Sequence, residues 1–162
     1  MKGRLILLVA AFALIVTATA AAAVIRGTSG NDTINGTNDG DLIYAKAGND
    51  NVRSHGGNDI VYAGAGNDVV RSGPDNDVIY AGDGNDVTWP GAGADVQYGG
   101  PGDDVLHALA NDNQRDVLDC GRGFDVAYVI RNDPVTIHGC EQVIRLTPEQ
   151  AAAIAAANED NG

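Results

Sequence analysis

Residues 54–71 read SHGGNDIVYAGAGNDVVR, writing Gly-Asn-Asp twice at an interval of nine and closing one copy on Tyr62 and the next on Arg71. The interval holds well beyond this stretch. Cut from Gly27, the chain falls without a gap into nine nonapeptides: GTSGNDTIN, GTNDGDLIY, AKAGNDNVR, SHGGNDIVY, AGAGNDVVR, SGPDNDVIY, AGDGNDVTW, PGAGADVQY and GGPGDDVLH. All nine carry Asp at the sixth place, namely Asp32, Asp41, Asp50, Asp59, Asp68, Asp77, Asp86, Asp95 and Asp104. Seven carry Gly at the fourth (Gly30, Gly48, Gly57, Gly66, Gly84, Gly93 and Gly102), with Asp39 and Asp75 as the exceptions. A fixed short period of this kind marks structural repeats that stack on one another.

The first six places of each nonapeptide hold residues that accept positive φ or cap their own backbone, so they predict a turn. The last three are rich in Val, Ile, Leu and Tyr and predict a three-residue strand. Side chains alternate along a strand, which sends the eighth place (Ile34, Ile43, Val52, Val61, Val70, Ile79, Thr88, Gln97, Leu106) inward as a mostly apolar row. At the ninth place Tyr44, Tyr62, Tyr80 and Tyr98 recur every 18 residues, and Asn35, Arg53, Arg71, Trp89 and His107 fill the positions between. A period of 18 inside a period of nine puts successive strands on different faces. Two nonapeptides therefore make one coil, and the chain predicts an all-β, right-handed parallel β-roll of two short-stranded sheets. The tyrosines, with Leu42, Ile60, Val78 and Val96 at the seventh place, make an apolar outer face. Cross-strand stacking that stabilises the sheet accounts for it, and a binding platform is the sharper alternative.

Stacked coils set Asp32, Asp50, Asp68, Asp86 and Asp104 over one another along one edge, and Asp41, Asp59, Asp77 and Asp95 along the other. Parallel strands lie about 4.8 Å apart, so these carboxylates repel strongly unless a cation lies between turns. Ca²⁺ accepts six to eight oxygens at flexible angles, whereas Zn²⁺ wants Cys or His and Mg²⁺ prefers to keep its waters. Calcium is the metal that this ligand set selects.

The nonapeptide, most clearly in AGAGNDVVR and GGPGDDVLH, resembles the haemolysin-type calcium-binding (RTX) repeat, G-G-x-G-x-D-x-U-x. The resemblance implies a β-roll with calcium held between same-side turns, each ion touching Asp side chains and main-chain carbonyls near the fourth-place glycines. Pairing the nine aspartates at a spacing of 18 gives up to seven sites, from Asp32/Asp50 to Asp86/Asp104. Several positions depart from the family pattern. Thr28, Thr37, Lys46 and His55 stand where the family has its second Gly, so the first turns are expected to be looser or to bind weakly. Asp39 and Asp75 either add a ligand oxygen or adopt the turn conformation in place of Gly. Thr88 and Gln97 put polar groups in the core row, which makes the eighth repeat the expected weak unit, and His55 and His107 are expected to be solvated.

Lys2 and Arg4, the apolar run from Leu5 to Val16 and the small residues from Thr17 to Ala23 read as a signal peptide over 1–23, cut after Ala20 or Ala23. A retained anchor is the alternative. The nine-repeat roll then occupies 24–107. Ala108 to Ala110 break the register, NDNQRDVLD and CGRGFDVAY resume it, and 108–146 is expected to cap the roll, with Asp116 and Asp125 again at the sixth place. The chain looks exported, so Cys120 and Cys140 are expected to pair. A zinc site using Cys120, His138 and Cys140 is the alternative. Over 147–162, TPEQAAAIAAAN predicts a short helix with Thr147 as N-cap, Pro148 at N1 and Gln150 at N3, packed on the roll or frayed, followed by a disordered tail.

The net charge of -12 removes nucleic acid from the expected partners, since binding there needs a basic footprint. No membrane span is expected after signal cleavage. No nucleophile arrangement such as G-x-S-x-G is present, and enzymatic activity is not expected. The sequence therefore reads as a secreted, extracellular calcium-binding protein whose folding is coupled to the ion. The alternative is a cell-surface adhesion or matrix module with structural calcium, whose Tyr-bearing outer face binds a protein or glycan.

Overall fold

The computed structural model of the chain describes residues 22–159. The signal segment expected over 1–23 therefore lies almost wholly outside the described residues, as do the last residues of the expected tail. The first seven strands are β1 (Val24–Arg26), β2 (Thr33–Asn35), β3 (Leu42–Ala47), β4 (Asn51–Arg53), β5 (Ile60–Ala65), β6 (Val69–Pro74) and β7 (Val78–Asp83). Then come β8 (Val87–Ala92), β9 (Val96–Pro101), β10 (Val105–Ala108), β11 (Asp116–Arg122), β12 (Val126–Ile130), β13 (Val135–His138) and β14 (Gln142–Leu146). Helix α1 (Pro148–Glu159) follows.

Odd-numbered strands form one seven-stranded sheet and even-numbered strands the other. Pairing is parallel throughout, and the coil is 18 residues long: Ile60 faces Val78 and Tyr62 faces Tyr80, while on the second sheet Val69 faces Val87 and Arg71 faces Trp89. The fold is thus the parallel β-solenoid that the ninth-place alternation implies. The first strand starts earlier than the first full nonapeptide, because Val24 to Arg26 already pair with Leu42 to Tyr44.

Strand length is a correction. Three-residue strands occur at β1, β2 and β4, but β3 and β5 through β9 run for six residues, reaching the third place of the next nonapeptide. At the second place Gly64, Gly73, Gly82, Gly91 and Gly100 take positive φ and stay in register with the next coil, as in Gly64 with Gly82. A side chain is excluded there: a Cβ on Gly82 would fall on the carbonyl oxygen of Gly64. After β1 and β2 that place is held by Thr28 and Thr37, which do not take positive φ.

The longer strands also widen the core. Sixth, eighth and following first places all point inward, so Asp59, Val61 and Ala63 are buried together. One row of Val and Ile fills the middle, and small residues such as Ala45, Ser54, Ala63, Ser72 and Ala81 line its edge, all fully buried. Each buried Val or Ile contributes roughly 1.5–3 kcal/mol. The row is interrupted where Thr88 and Gln97 enter it. There the Thr88 hydroxyl donates to Gln97 Oε1 at 2.5 Å, Gln97 Nε2 donates to the His107 carbonyl at 2.8 Å, and His107 Nδ1 donates to the Thr88 carbonyl at 2.9 Å. The polar groups that mark the eighth repeat as weak thus satisfy one another.

His107 is a second correction. It is 5% exposed rather than solvated, stacked between Trp89 and Tyr128 at centroid distances of 3.4 and 5.1 Å. Aromatic neighbours one coil away on either side cover both ring faces, and burial pushes its pKa down to about 4.

The inserted Ala108 to Ala110 lengthen one coil, so that Val96 pairs with Val117 and Val105 with Val126. The solenoid then continues in the same two sheets through β13 and β14. Cys120 and Cys140 are disulfide-bonded with Cα atoms 5.1 Å apart, which ties β11 to the segment after β13 and excludes a zinc site on those sulfurs. A closed loop of this length stabilises by roughly 3 kcal/mol in the chain-entropy account. Helix α1 begins as its sequence predicts: Thr147 N–H donates to Gln150 Oε1 at 3.0 Å and Gln150 N–H donates to Thr147 Oγ1 at 3.3 Å. It packs on the roll through Ala151, which joins Ile130 and Leu146. Among the described residues no helix is long and apolar enough to cross a membrane.

Candidate metal centre

Parallel stacking brings the nine sixth-place aspartates into the two columns that the sequence predicts, and it fixes their contact. The backbone N–H of each Asp donates to Oδ1 of the Asp one coil further on. Along one edge the links are Asp32 to Asp50 (2.8 Å), Asp50 to Asp68 (2.8 Å), Asp68 to Asp86 (2.7 Å) and Asp86 to Asp104 (2.8 Å). Along the other they are Asp41 to Asp59 (2.6 Å), Asp59 to Asp77 (2.8 Å) and Asp77 to Asp95 (2.8 Å). Both columns cross the three-residue insertion, Asp95 donating to Asp116 at 3.0 Å and Asp104 to Asp125 at 2.7 Å. The longer column ends on Glu141, whose Oε2 accepts from Asp125 N–H at 2.9 Å.

The second carboxylate oxygen is left over. Oδ2 of Asp50, Asp59, Asp68, Asp77, Asp86, Asp95, Asp104 and Asp125 is buried and has no hydrogen-bond partner. Leaving a buried acceptor unmet costs about 1–3 kcal/mol, and more when it is charged. Burial accordingly pushes these acids upward, with the neighbouring carboxylates adding to it: Asp77 to about 8, Asp86 to about 7, Asp95 and Asp104 to about 6, and Asp116, next in the column of Asp95, rises to about 7 for the same reason. Asp50, Asp59, Asp68 and Asp125 move the same way, again chiefly through burial. Each orphaned oxygen therefore calls for a proton or a cation.

The first two repeats differ for a visible reason. Thr28 donates its N–H (2.6 Å) and hydroxyl (3.0 Å) to Asp32 Oδ2, and Thr37 donates its N–H (2.6 Å) to Asp41 Oδ2. Protein donors occupy the oxygens that a metal would use, a physical basis for weak binding at the Thr28 and Thr37 turns only. Lys46 and His55, expected to behave alike, take positive φ as Gly does and leave Oδ2 of Asp50 and Asp59 bare. Asp75 takes φ +81° and accepts the Gly57 N–H at 3.1 Å on Oδ2, so it serves the turn as Gly does elsewhere; Asp39 has no positive φ.

Carbonyl oxygens accompany the carboxylates from an unexpected place. A Cβ added to Gly27 would lie 2.5 Å from the Ala45 carbonyl oxygen and 2.6 Å from Asp32 Oδ2, and one on Gly36 equally near the Ser54 carbonyl and Asp41 Oδ2. The first-place carbonyl of the following coil thus faces the same small space as the sixth-place carboxylate. The fourth-place glycines Gly48, Gly57, Gly66, Gly84, Gly93 and Gly102 take positive φ. A Cβ on Gly66, Gly84 or Gly102 would fall on the carbonyl oxygen of Gly48, Gly66 or Gly84 respectively, and one on Gly48 would lie 2.7 Å from that of Gly30.

Among the described residues no three His, Cys, Asp or Glu side chains converge on one point. A cation between turns must therefore complete its shell with main-chain oxygens, a donor set that suits Ca²⁺ and not Zn²⁺. The orphaned Oδ2 atoms fit such an ion, most visibly at Asp104, where a Cβ on Gly99 would lie 2.5 Å from Oδ2 and fall on the Cys120 carbonyl oxygen, and the ion would supply the positive charge that the columns lack.

One further ladder escaped the sequence reading. Fifth-place Asn31, Asn49, Asn67 and Asn85 run in the opposite sense to the aspartates, each Oδ1 accepting the N–H of the fifth residue one coil on, at 2.8–2.9 Å. Asn58 and Asn76 do the same on the other edge. The signal was present, since six of nine repeats have Asn there.

Fold and turns together define a parallel β-roll whose stacked turns carry two columns of buried carboxylates. The family model for the RTX calcium-binding nonapeptide repeat (4 copies) matches residues 17–52, 35–70, 53–88, 62–97 and 89–127, and the chain belongs to that family. No curated protein matches it significantly.

Proposed function

We propose that this is a secreted calcium-binding protein in which ions held between the turns, up to about seven, complete the fold. The observation that carries this reading is the double column of buried carboxylates with one oxygen satisfied and the other bare. Asp50, Asp59, Asp68, Asp77, Asp86, Asp95 and Asp104 would hold the ions through Oδ2, with carbonyls of the first and fourth places, and the turns of Asp32 and Asp41 would bind most weakly. An ion that binds only the folded turns converts binding free energy into folding free energy. Where calcium is scarce, before export, the charged columns oppose folding. Outside, calcium at millimolar levels suits the affinity of extracellular modules. The signal-like start and the disulfide support export. We read the chain as non-enzymatic, its acids being engaged in the ladder.

Asp77→Asn tests the assignment. Asp77 stands between Asp59 and Asp95 in its column, so isothermal titration calorimetry should find fewer calcium ions bound and a weaker mean affinity than in the parent chain. Unchanged stoichiometry and affinity would remove Asp77 from the ligand set.

The tyrosine face supports adhesion as a second reading. Tyr44, Tyr62, Tyr80 and Tyr98 stack at 4.7–5.1 Å with planes within 6°, and the last three stay 37–38% exposed. Replacing Tyr62 and Tyr80 by Ser should abolish attachment to cells or matrix while sparing calcium binding. Attachment that survives the double change would exclude this face.

A further inference from the structure

The ninth-place column of the even-numbered sheet is unlike the tyrosine column. It runs Asn35, Arg53, Arg71, Trp89, His107, Tyr128 on successive strands. Arg53 and Arg71 are direct neighbours across two parallel strands, an arrangement that like charges ordinarily make unfavourable. The chain has 22 acidic residues, yet among the described residues neither guanidinium has an ion pair or hydrogen bond. Three other placed cations do have partners: Arg26 lies over the Tyr44 ring, Lys46 Nζ reaches the Gly27 carbonyl and Arg131 Nε donates to the Arg145 carbonyl.

Beside Arg71 and Trp89 the second place is Gly73 and Gly91, whose missing side chains leave a trough along the sheet, while beside Arg53 it is His55. Trp89 and Pro90 form its apolar middle. Leu109, from the insertion that breaks the repeat register, and Ala155 of α1 close its far end, and the cavity measures about 420 Å³. That volume lies in the range of small-molecule sites. One end is doubly cationic and half-buried, the other apolar. Burial, and then the Arg53 charge, lower the pKa of Arg71, so an anion placed there relieves a repulsion already present. Guanidinium pairs grip planar oxyanions bidentately. A chain of net charge -12 repels a dianion more than a monoanion, and the apolar end asks for a hydrocarbon body.

We infer that this trough binds a small amphipathic carboxylate, with its headgroup between Arg53 and Arg71 and its apolar body against Trp89, Pro90 and Leu109. The site lies on an outer sheet face, apart from the aspartate columns, and does not rest on the calcium reading. It also gives the Ala108 to Ala110 insertion a purpose beyond lengthening a coil.

Trp89 is the single tryptophan of the chain, so its emission reports this trough directly. The full chain in millimolar calcium would be titrated with octanoate, with octanol as the neutral match and acetate as the charge without the body. Octanoate should change the emission saturably, and both controls should bind at least about tenfold more weakly, a difference of 1.4 kcal/mol. Arg53→Gln and Arg71→Gln, tested separately, should each weaken octanoate about tenfold while their calcium titrations match the parent. The inference is overturned by an unsaturable octanoate response, by equal binding of octanol and octanoate, or by unchanged octanoate binding in both variants.

Discussion

Stripped of calcium, the roll is expected to keep its β-sheet circular dichroism at about pH 5 and to lose it as the pH is raised towards about 8. In the metal-free fold Asp77, Asp86, Asp95, Asp104 and Asp116 hold protons with pKa values of about 8, 7, 6, 6 and 7. The same groups in an unfolded chain titrate near 3.9. A folded pKa above the unfolded one stabilises the fold fully below the unfolded value and loses that contribution as pH rises through the folded value. The loss therefore begins above about pH 4, where the unfolded chain ionises, and is complete by about pH 8, where all five acids must ionise in place or leave their burial. His107 opposes the trend, because its folded pKa of about 4 lies below the ordinary 6.5 and its contribution falls as pH drops through that interval. One imidazole set against five carboxylates does not reverse the slope. Calcium turns it round: the ion needs ionised carboxylates, so binding releases protons and affinity falls on acidification. Spectra of calcium-free protein from pH 5 to 8, with the same series in excess calcium, check both signs. A metal-free roll more stable at pH 8 than at pH 5 would show that the orphaned oxygens are met by donors other than protons.

Gly84→Ala is expected to destabilise the calcium-loaded roll by roughly 3 kcal/mol or more, through overpacking and a left-handed conformation that Ala resists. Gly84 has φ +130°, and a Cβ on it would fall on the carbonyl oxygen of Gly66 in the preceding coil. Nothing flexible lies in the way, so relief requires the coils to separate and the turn oxygens to move with them. Gly30 holds the same place in the first repeat, yet its φ is not positive and its added Cβ would find only Thr28 Oγ1, at 3.9 Å. Gly30→Ala should therefore change stability by less than about 0.5 kcal/mol. Denaturant midpoints of the two variants decide the matter. Equal effects would mean that the fourth glycine serves an intrinsic preference of the turn rather than the approach of stacked coils.

The contrast between those two glycines also shows what the sequence made legible and what it did not. The register of Asp32 through Asp104 was visible because it repeats, and with the recurrence of tyrosine every second nonapeptide it implied the coil, the two sheets and the two carboxylate columns. Strand length was not visible. Composition at places one to three reads as turn, and only stacking shows that a positive-φ glycine such as Gly82 continues the ladder because the coil beneath demands it. His107 was misread for a related reason: its neighbours Trp89 and Tyr128 lie 18 and 21 residues away, the second displaced from the period by the insertion. Thr28, Thr37, Lys46 and His55 all depart from the repeat in sequence, but only the folded turns separate the first two, whose N–H is turned onto their own Asp, from the others. Arg53 and Arg71 were seen as a row and not as half of a trough, since Leu109 and Ala155 reach them only through the tertiary fold.

The most direct test of the account is far-UV circular dichroism of residues 24–162 at neutral pH during a calcium titration, with magnesium in parallel. The columns of bare Oδ2 atoms predict a cooperative gain of β structure with calcium, and little response to magnesium, which holds its waters too firmly for a shell made largely of carbonyls. Full β structure in excess chelator at neutral pH, unchanged on adding calcium, would contradict the coupling of ion and fold.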